Sequence, residues 1–223
     1  TDLSGDFAPV QHTVPMLSLD NSYNDDDLND FDAAVKKLCN LLSDVDIEYC
    51  VEPKFDGGSI ALVYENDVLV RAATRGNGTM GEEMTPNART LPSIPLKADF
   101  ASFGIVKAEL RGEALIRKDN FERINKEREK EGLTLFANPR NAATGGLRTK
   151  DANETRKRGL EAFVYQLAYA VDNAGNSVLP TMKTHIQGIE MLGKLGFKIP
   201  KDEKTVCKNI NVVHDFVKYW EEK

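Results

Sequence analysis

The chain has 223 residues, of which 41 % are hydrophobic and 29 % charged, a composition typical of a globular protein with a buried core. No apolar run approaches the ~20 residues of a membrane span and no basic-then-apolar leader opens the sequence, so we expect no membrane partner. The three cysteines, Cys39, Cys50 and Cys207, fit neither a disulfide framework nor a zinc site, which favours the reducing cytoplasm.

Charge is distributed unevenly along the chain. Residues 1–50 hold eleven acidic side chains and two lysines, net −9, whereas the remaining residues hold 27 basic and 24 acidic side chains, net +3. The total charge of −6 therefore does not exclude a local basic surface for nucleic acid, although a mixed solvated surface explains the same numbers.

Hydrophobic periodicity and turn signals divide the chain into helices and strands. In chain order they predict a helix over 28–42, strands over 47–55, 59–64 and 68–74, a short helix over 82–91, a strand over 105–116, helices over 119–131 and 140–147, a strand over 160–171, and helices over 181–195 and 212–222. Strands cluster in the middle and helices flank them, which predicts an α+β fold in one domain.

Two charged strand segments are candidate sites. Glu52, Lys54 and Asp56 share one face of the predicted 47–55 strand, and the Gly57-Gly58 turn that follows would let a ligand approach the backbone. Glu109, Arg111 and Glu113 share one face of the strand over 105–116. Each set is also explained as an ordinary ladder of surface ion pairs.

Two further segments have features of phosphate binding. Arg75-Gly76-Asn77-Gly78-Thr79 is a glycine-rich loop beside an arginine, although a surface turn explains it equally well. Arg140 and Arg148 lie eight residues apart, so on a helix they would lie within roughly 80° of each other, and residues 136–158 hold six basic and two acidic side chains. A close-packed helix of small residues with a basic rim is the alternative interpretation of this second segment.

Taken together, these segments resemble the adenylation domain of the NAD-dependent DNA ligases of bacteria. Lys54-Phe55-Asp56-Gly57 matches the K-x-D-G nucleophile motif shared by DNA ligases, RNA ligases and capping enzymes. The other matching segments are residues 12–21, 74–78, 81–87, 110–113 and 136–148. The resemblance runs from about Pro9 to the C-terminus, and it implies a covalent-nucleotidyltransferase, ATP-grasp-like adenylation core with antiparallel sheets flanked by helices.

The resemblance implies a DNA ligase that uses NAD and Mg²⁺ to seal nicks during DNA replication and repair. A lysine attacks NAD to form enzyme–AMP, the adenylate passes to a DNA 5′-phosphate, and a 3′-hydroxyl displaces AMP. A free lysine is almost entirely protonated at neutral pH, so neighbouring cations and partial desolvation would help the amine to react.

The resemblance also assigns roles to individual residues, with Lys54 as the nucleophile. The implied nucleotide-binding residues are Ser18, Leu19, Glu52, Asp56, Gly57, Arg75, Glu113 and Tyr165. Within that set Glu52 would recognise the adenine edge, Tyr165 would stack on adenine, and Arg75 and Glu113 would contact the ribose and phosphate. Arg140 and Arg148 are implied to contact phosphate and nicked DNA. No metal ligands are implied in this chain, and a plain core role for Tyr165 stays open.

Several parts of the family pattern have no counterpart in the sequence. They are the N-terminal subdomain that binds nicotinamide mononucleotide, the D-G-x-x-x-K and final lysine strands, and the OB-fold, zinc, helix-hairpin-helix and BRCT regions. We therefore expect residues 1–223 to be a partial adenylation domain, monomeric and cytoplasmic, with zinc implied only for the regions not matched. We expect this piece to react poorly with NAD by itself, because in-line transfer needs a held leaving group.

Two other functions stay open from the sequence. The K-x-D-G motif also occurs in ATP-dependent polynucleotide ligases. Alternatively, the chain is a non-catalytic fragment that holds DNA through Arg140, Arg148 and Arg156-Lys157-Arg158.

Overall fold

The computed structural model describes residues 7–201 and 203–222, which contain both strands and helices. The strands are β1 (Pro9–Gln11), β2 (Tyr49–Val51), β3 (Gly58–Glu65), β4 (Val68–Thr74), β5 (Met80–Glu82), β6 (Lys107–Ile116), β7 (Leu160–Val171) and β8 (Thr205–Cys207). The α-helices are α1 (Asp25–Leu38), α2 (Thr85–Ala88), α3 (Lys118–Lys130), α4 (Pro139–Leu147), α5 (Ala152–Arg158), α6 (His185–Lys194) and α7 (Ile210–Glu221). Short 3₁₀ turns occur at Phe100–Phe103 and Leu179–Thr181.

The chain forms two compact units. Of the described residues, the first unit contains 7–17 and 54–199, and the second contains 18–53, 200–201 and 203–222. The prediction of one domain stays a prediction. Among the helices of the described ranges, none combines the length and the apolar character that a membrane crossing requires.

A four-stranded antiparallel sheet in the order β4-β3-β6-β7 is the centre of the first unit. The β3–β4 hairpin closes through Asn66 and Asp67, whose φ angles of 47° and 69° suit the tight turn that two right-twisted strands need. Register between β3 and β6 sets Ser59 opposite Glu113 and Ala61 opposite Arg111. Charged residues of β6 therefore face the same side as the small residues of β3.

The two faces of this sheet have different chemistry because side chains alternate along each strand. Ile60, Leu62 and Leu110 lie on one face and are fully buried in the apolar core, which α4 and α6 cover. On the other face, Glu109 and Arg111 are 0 % and 3 % exposed, and these charges must be satisfied by neighbouring groups. We call this second side the polar face.

Helix α4 lies against the core side of the sheet for reasons that the sequence shows. The Asn138 side chain accepts a hydrogen bond from the Asn141 amide, and Pro139 occupies the first helical position, where no amide is needed. A Cβ on Gly58 would lie 2.9 Å from Leu147 Cδ1, so the helix approaches β3 closely. The buried Asn87 side chain donates to the carbonyls of Leu147 and Thr149 and satisfies the end of the helix.

The second unit packs α1 against α7 and pairs β2 with β8. The Asn24 side chain accepts from the Asp27 amide and caps α1, which therefore begins at Asp25, before the predicted start at residue 28, and ends at Leu38, before the predicted end at residue 42. His214 of α7 contacts the side chains of Asp25 and Asn29, at 2.9 and 3.0 Å.

The α+β class and the antiparallel sheets flanked by helices are confirmed, and the predicted strand over 160–171 has the bounds of β7. The strand over 47–55 is wrong in length, because β2 ends at Val51, where its pairing with β8 ends. Glu52, Lys54 and Asp56 thus lie in irregular chain, and their predicted common strand face does not exist. The helix over 181–195 begins only at His185, because the Thr184 side chain caps it.

Candidate active site

The segment that follows Lys54 is held against β6 by a backbone hydrogen bond. The Gly57 amide donates to Glu113 Oε1 at 3.1 Å, which joins the start of β3 to the polar face of β6. A Cβ at Gly57 would lie only 2.2 Å from the Ala114 carbonyl oxygen, so no other residue fits without moving the backbone. Glycine at this position therefore permits a contact that the motif alone does not reveal.

Phe55 and Asp56 have contacts of their own. The Phe55 ring lies 4.9 Å from the Phe163 ring, between centroids, and the Asp56 carboxylate pairs with Arg140 Nη1 at 2.8 Å. Asp56 and Arg140 are separated by 84 residues in sequence and are brought together because α4 begins beside this segment. Phe55, Asp56 and Gly57 are thus held in turn by a ring contact, an ion pair and an amide hydrogen bond.

Lys54 itself is exposed. In residues 7–201 and 203–222, no hydrogen bond or ion pair involves its side chain. The amine is therefore available to a ligand, at the front of a segment that is otherwise fixed.

Glu113 is 8 % exposed, and burial raises the pKa of its carboxyl group above the usual glutamate range. Hydrogen bonds from Ser59 and the Gly57 amide, together with the charge of Arg140, oppose that rise. The ionised form of Glu113 is therefore stabilised by Ser59, the Gly57 amide and Arg140, against the effect of burial.

Replacement of Glu113 by glutamine should stabilise the fold at neutral pH. Because the folded state binds this proton more tightly than the unfolded state, stability falls as pH rises from the ordinary glutamate range through the raised pKa. Gln keeps an acceptor for the Gly57 amide and cannot ionise. Thermal unfolding should show Glu113→Gln above the unaltered protein at neutral pH, converging with it in acid, whereas exposed Glu122→Gln should show no such pattern. A glutamine variant that is less stable at every pH would contradict this expectation.

Arg75 and Tyr165 also belong to this part of the first unit. Arg75 follows β4 in the glycine-rich loop, where Gly76 and Gly78 have φ angles of 56° and 97°. Tyr165 is the extra residue of a β-bulge, since Gly112 pairs with Val164 and Arg111 pairs with Gln166. Burial, with the charge of Glu113, raises the pKa of Tyr165 to about 12, and the positive charges of Arg111 and Arg75 oppose the rise.

Arg148 has different surroundings from Arg140. It is the C-cap residue of α4, and its guanidinium pairs at 2.7 Å with Glu82, a carboxylate that is 2 % exposed. The two arginines therefore contact different carboxylates, one exposed at Asp56 and one buried at Glu82. Arg140 lies in α4 and Arg148 directly follows its last residue, in agreement with the predicted helix over 140–147.

The remaining predicted residues lie in the second unit. Ser18 and Leu19 are exposed in irregular chain, and Glu52 is half-buried directly after β2. The first unit thus holds Lys54, Asp56, Gly57, Arg75, Glu113, Tyr165, Arg140 and Arg148, whereas the second holds Ser18, Leu19 and Glu52.

From the sequence, Glu109 and Arg111 were candidates only as part of a charged strand face, and His12 had no individual role. Their side chains are buried on or beside the polar face. Glu109 and Arg111 form an ion pair with a 2.5 Å separation, and His12 Nε2 lies 3.1 Å from the Arg75 carbonyl oxygen. The alternating charges of β6 placed Glu109 and Arg111 on one strand face in the sequence analysis, but they did not indicate which other groups the two side chains contact.

The amino-acid sequence was compared with families of known proteins. Residues 4–223 match the model of the NAD-dependent DNA ligase adenylation domain. The chain is 54 % identical to a DNA ligase of Sulfurihydrogenibium azorense over 97 % of its own length, and 51 % identical to DNA ligases of Persephonella marina and Aquifex aeolicus over 100 %.

These matches cover about 30 % of each relative's length, so the chain corresponds to part of those proteins. They confirm the resemblance drawn from the sequence and favour it over an ATP-dependent ligase or a fragment that only binds DNA. The chain belongs to the NAD-dependent DNA ligase adenylation domain family.

Proposed function

We propose that this domain accepts adenylate from NAD on Lys54 and, within a complete ligase, passes it to the 5′-phosphate of nicked double-stranded DNA. The observation that carries the proposal is the exposed, unbonded Lys54 amine at the front of a segment whose next three residues contact Phe163, Arg140 and Glu113. A fixed backbone with a free amine suits a nucleophile that must meet phosphorus in line.

In the first step the Lys54 nitrogen attacks the adenylyl phosphorus of NAD. A P–N bond forms, the P–O bond to nicotinamide mononucleotide breaks, and the amine loses a proton. A DNA 5′-phosphate oxygen then attacks the same phosphorus and the P–N bond breaks. Finally the DNA 3′-hydroxyl attacks the 5′-phosphate, and AMP leaves as the nick closes.

The other residues would bind and orient the nucleotide. Ser18 and Leu19 are proposed to contact the nucleotide and Glu52 to recognise the adenine edge, with Tyr165 stacking on the base. Arg75 and Glu113 would contact the ribose and phosphate. Arg140 would offset phosphate charge close to the nucleophile, since its guanidinium pairs with a carboxylate only two residues from Lys54. Arg148 is proposed to contact DNA phosphate, which would require exchange from its ion pair with Glu82.

Mg²⁺ is proposed as the metal of the reaction. Within residues 7–201 and 203–222, no group of three or more His, Cys, Asp or Glu side chains is arranged to hold a metal ion. Mg²⁺ commonly keeps several waters and binds substrate phosphates directly, so it need not rely on such a group of protein ligands. The metal would supply charge that offsets the transferring phosphate. We further propose a monomer that acts in the cytoplasm, in DNA replication and repair.

The choice of nucleotide tests this function. The complete protein that carries this domain is incubated with Mg²⁺ and either NAD or ATP, and intact-mass spectrometry measures covalent adenylate. We expect stoichiometric adduct with NAD and none with ATP, with the modification on the peptide that contains Lys54. Adduct with ATP alone would favour an ATP-dependent ligase, and salt-sensitive DNA binding without any adduct would favour a binding fragment.

A further inference from the structure

The polar face is crossed by a segment of irregular backbone, residues His12–Met16, which we call the strap. Its two ends bond to the glycine-rich loop. The His12 amide donates to the Thr79 carbonyl at 3.0 Å, and the Met16 amide donates to the Gly78 carbonyl at 2.7 Å. Between those ends the strap is not part of any strand, so its peptide groups need other partners.

Glu109 and Arg111 of β6 supply those partners. The Thr13 amide donates to Glu109 Oε2 at 2.9 Å, and the Arg111 guanidinium donates to the Val14 carbonyl. Pro15 has no amide to satisfy. One buried ion pair thus bonds to the backbone of two successive residues of the strap, the Thr13 amide and the Val14 carbonyl, across separations of 96 and 97 residues.

A stabilising role alone does not explain this pair. Taking two charges out of water is costly, and well-packed apolar side chains often stabilise a core as well as a buried ion pair does. Apolar side chains, however, could neither accept from the Thr13 amide nor donate to the Val14 carbonyl. The contacts therefore indicate that the pair fixes the position of the strap.

The strap in turn contacts the loop that carries Arg75. Besides its two amide bonds, His12 Nε2 lies 3.1 Å from the Arg75 carbonyl oxygen. A Cβ on Gly78 would lie 2.9 Å from the Met16 carbonyl oxygen, so loop and strap are in close contact. The pair, the strap and the loop form one continuous set of contacts that ends at Arg75.

We propose that Glu109 and Arg111 are positioning residues for nucleotide binding: they hold the strap, and the strap holds the Arg75 loop in the geometry that binds the nucleotide. The inference rests on the proposed function, in which Arg75 contacts the ribose and phosphate. Neither residue needs to touch NAD. Their loss should weaken NAD binding while leaving the reaction at Lys54 nearly as fast once NAD is bound.

The test uses Glu109→Gln and Arg111→Lys in the complete protein, with the NAD dependence of single-turnover adenylation as readout. Glu65→Gln is the matched control, because Glu65 pairs with Lys107 at 2.8 Å on the same face of the same two strands. We expect both test variants to need about tenfold more NAD for half-maximal rate, because the loss of one charged hydrogen bond weakens binding by about that factor. Their maximal rates should lie within about twofold of the rate of the unaltered protein. The control should match the unaltered protein.

Hydrogen exchange gives a second readout that does not depend on activity. The bonded amides of the strap, those of His12, Thr13 and Met16, should exchange faster in both test variants, while those of β3 and β6 stay protected. Unchanged NAD dependence in both variants would overturn the inference, as would equal loss of protection in the strap and in the central strands. Absence of any Lys54 adduct in the unaltered protein would instead refute the proposed function, and exchange would still test whether the pair holds the strap.

Discussion

Replacement of Lys54 by alanine should abolish enzyme–adenylate in the complete protein, a loss of at least about a thousandfold in rate. The covalent step needs a nucleophilic nitrogen, and alanine offers none. Intact-mass spectrometry after incubation with NAD and Mg²⁺ measures the result. Because the Lys54 side chain is exposed and unbonded within the described ranges, its loss should change stability by no more than about 0.5 kcal/mol.

Lys118→Ala is the matched control, since Lys118 is also an exposed lysine of the first unit, at the start of α3. It should form adduct at the rate of the unaltered protein. Adduct that persists on the Lys54→Ala variant would remove Lys54 from its proposed role. Loss of adduct together with a large drop in unfolding temperature would contradict the expectation that the side chain has no structural role.

Replacement of Gly57 by alanine should have the second-largest effect. The new Cβ would lie 2.2 Å from the Ala114 carbonyl oxygen, a contact that side chains do not make, so the backbone must shift away from β6. That shift would lengthen the 3.1 Å hydrogen bond to Glu113 and displace Lys54, three residues earlier. We expect adenylation to slow about a hundredfold, because small misplacements of a reacting group are costly, and stability to fall by about 1–3 kcal/mol.

Gly145→Ala is the control for this change. A Cβ at Gly145 of α4 would meet its nearest neighbours at 3.5 Å, an ordinary contact, and alanine is the better helix former. The adenylation rate of this variant should therefore match that of the unaltered protein, and its unfolding temperature should be equal or slightly higher. A Gly57→Ala variant with normal adenylation would show that the fit of Gly57 against β6 does not place the nucleophile.

Local pattern predicted most of the elements because their causes are local. Hydrophobic periodicity predicted a helix over 28–42, most of which is α1, and it predicted strands over 59–64 and 68–74, which are β3 and β4. Short elements were missed for the opposite reason: β1, β5 and β8 have three residues each and exist only because each has a pairing partner elsewhere in the chain. Helix α5, between Asp151 and Gly159, was too short for periodicity to indicate it.

By itself, the sequence determined the α+β class, the principal helices and strands, and the family, since these follow from periodicity and from motifs that are contiguous in the chain. Only the tertiary structure decided which carboxylate each charge meets: Gly57 with Glu113, Asp56 with Arg140 and Arg148 with Glu82. It also decided that the buried Glu109–Arg111 pair contacts the strap. The physical reason is that these partners lie 56 to 97 residues apart, where only strand register and helix packing can bring them together.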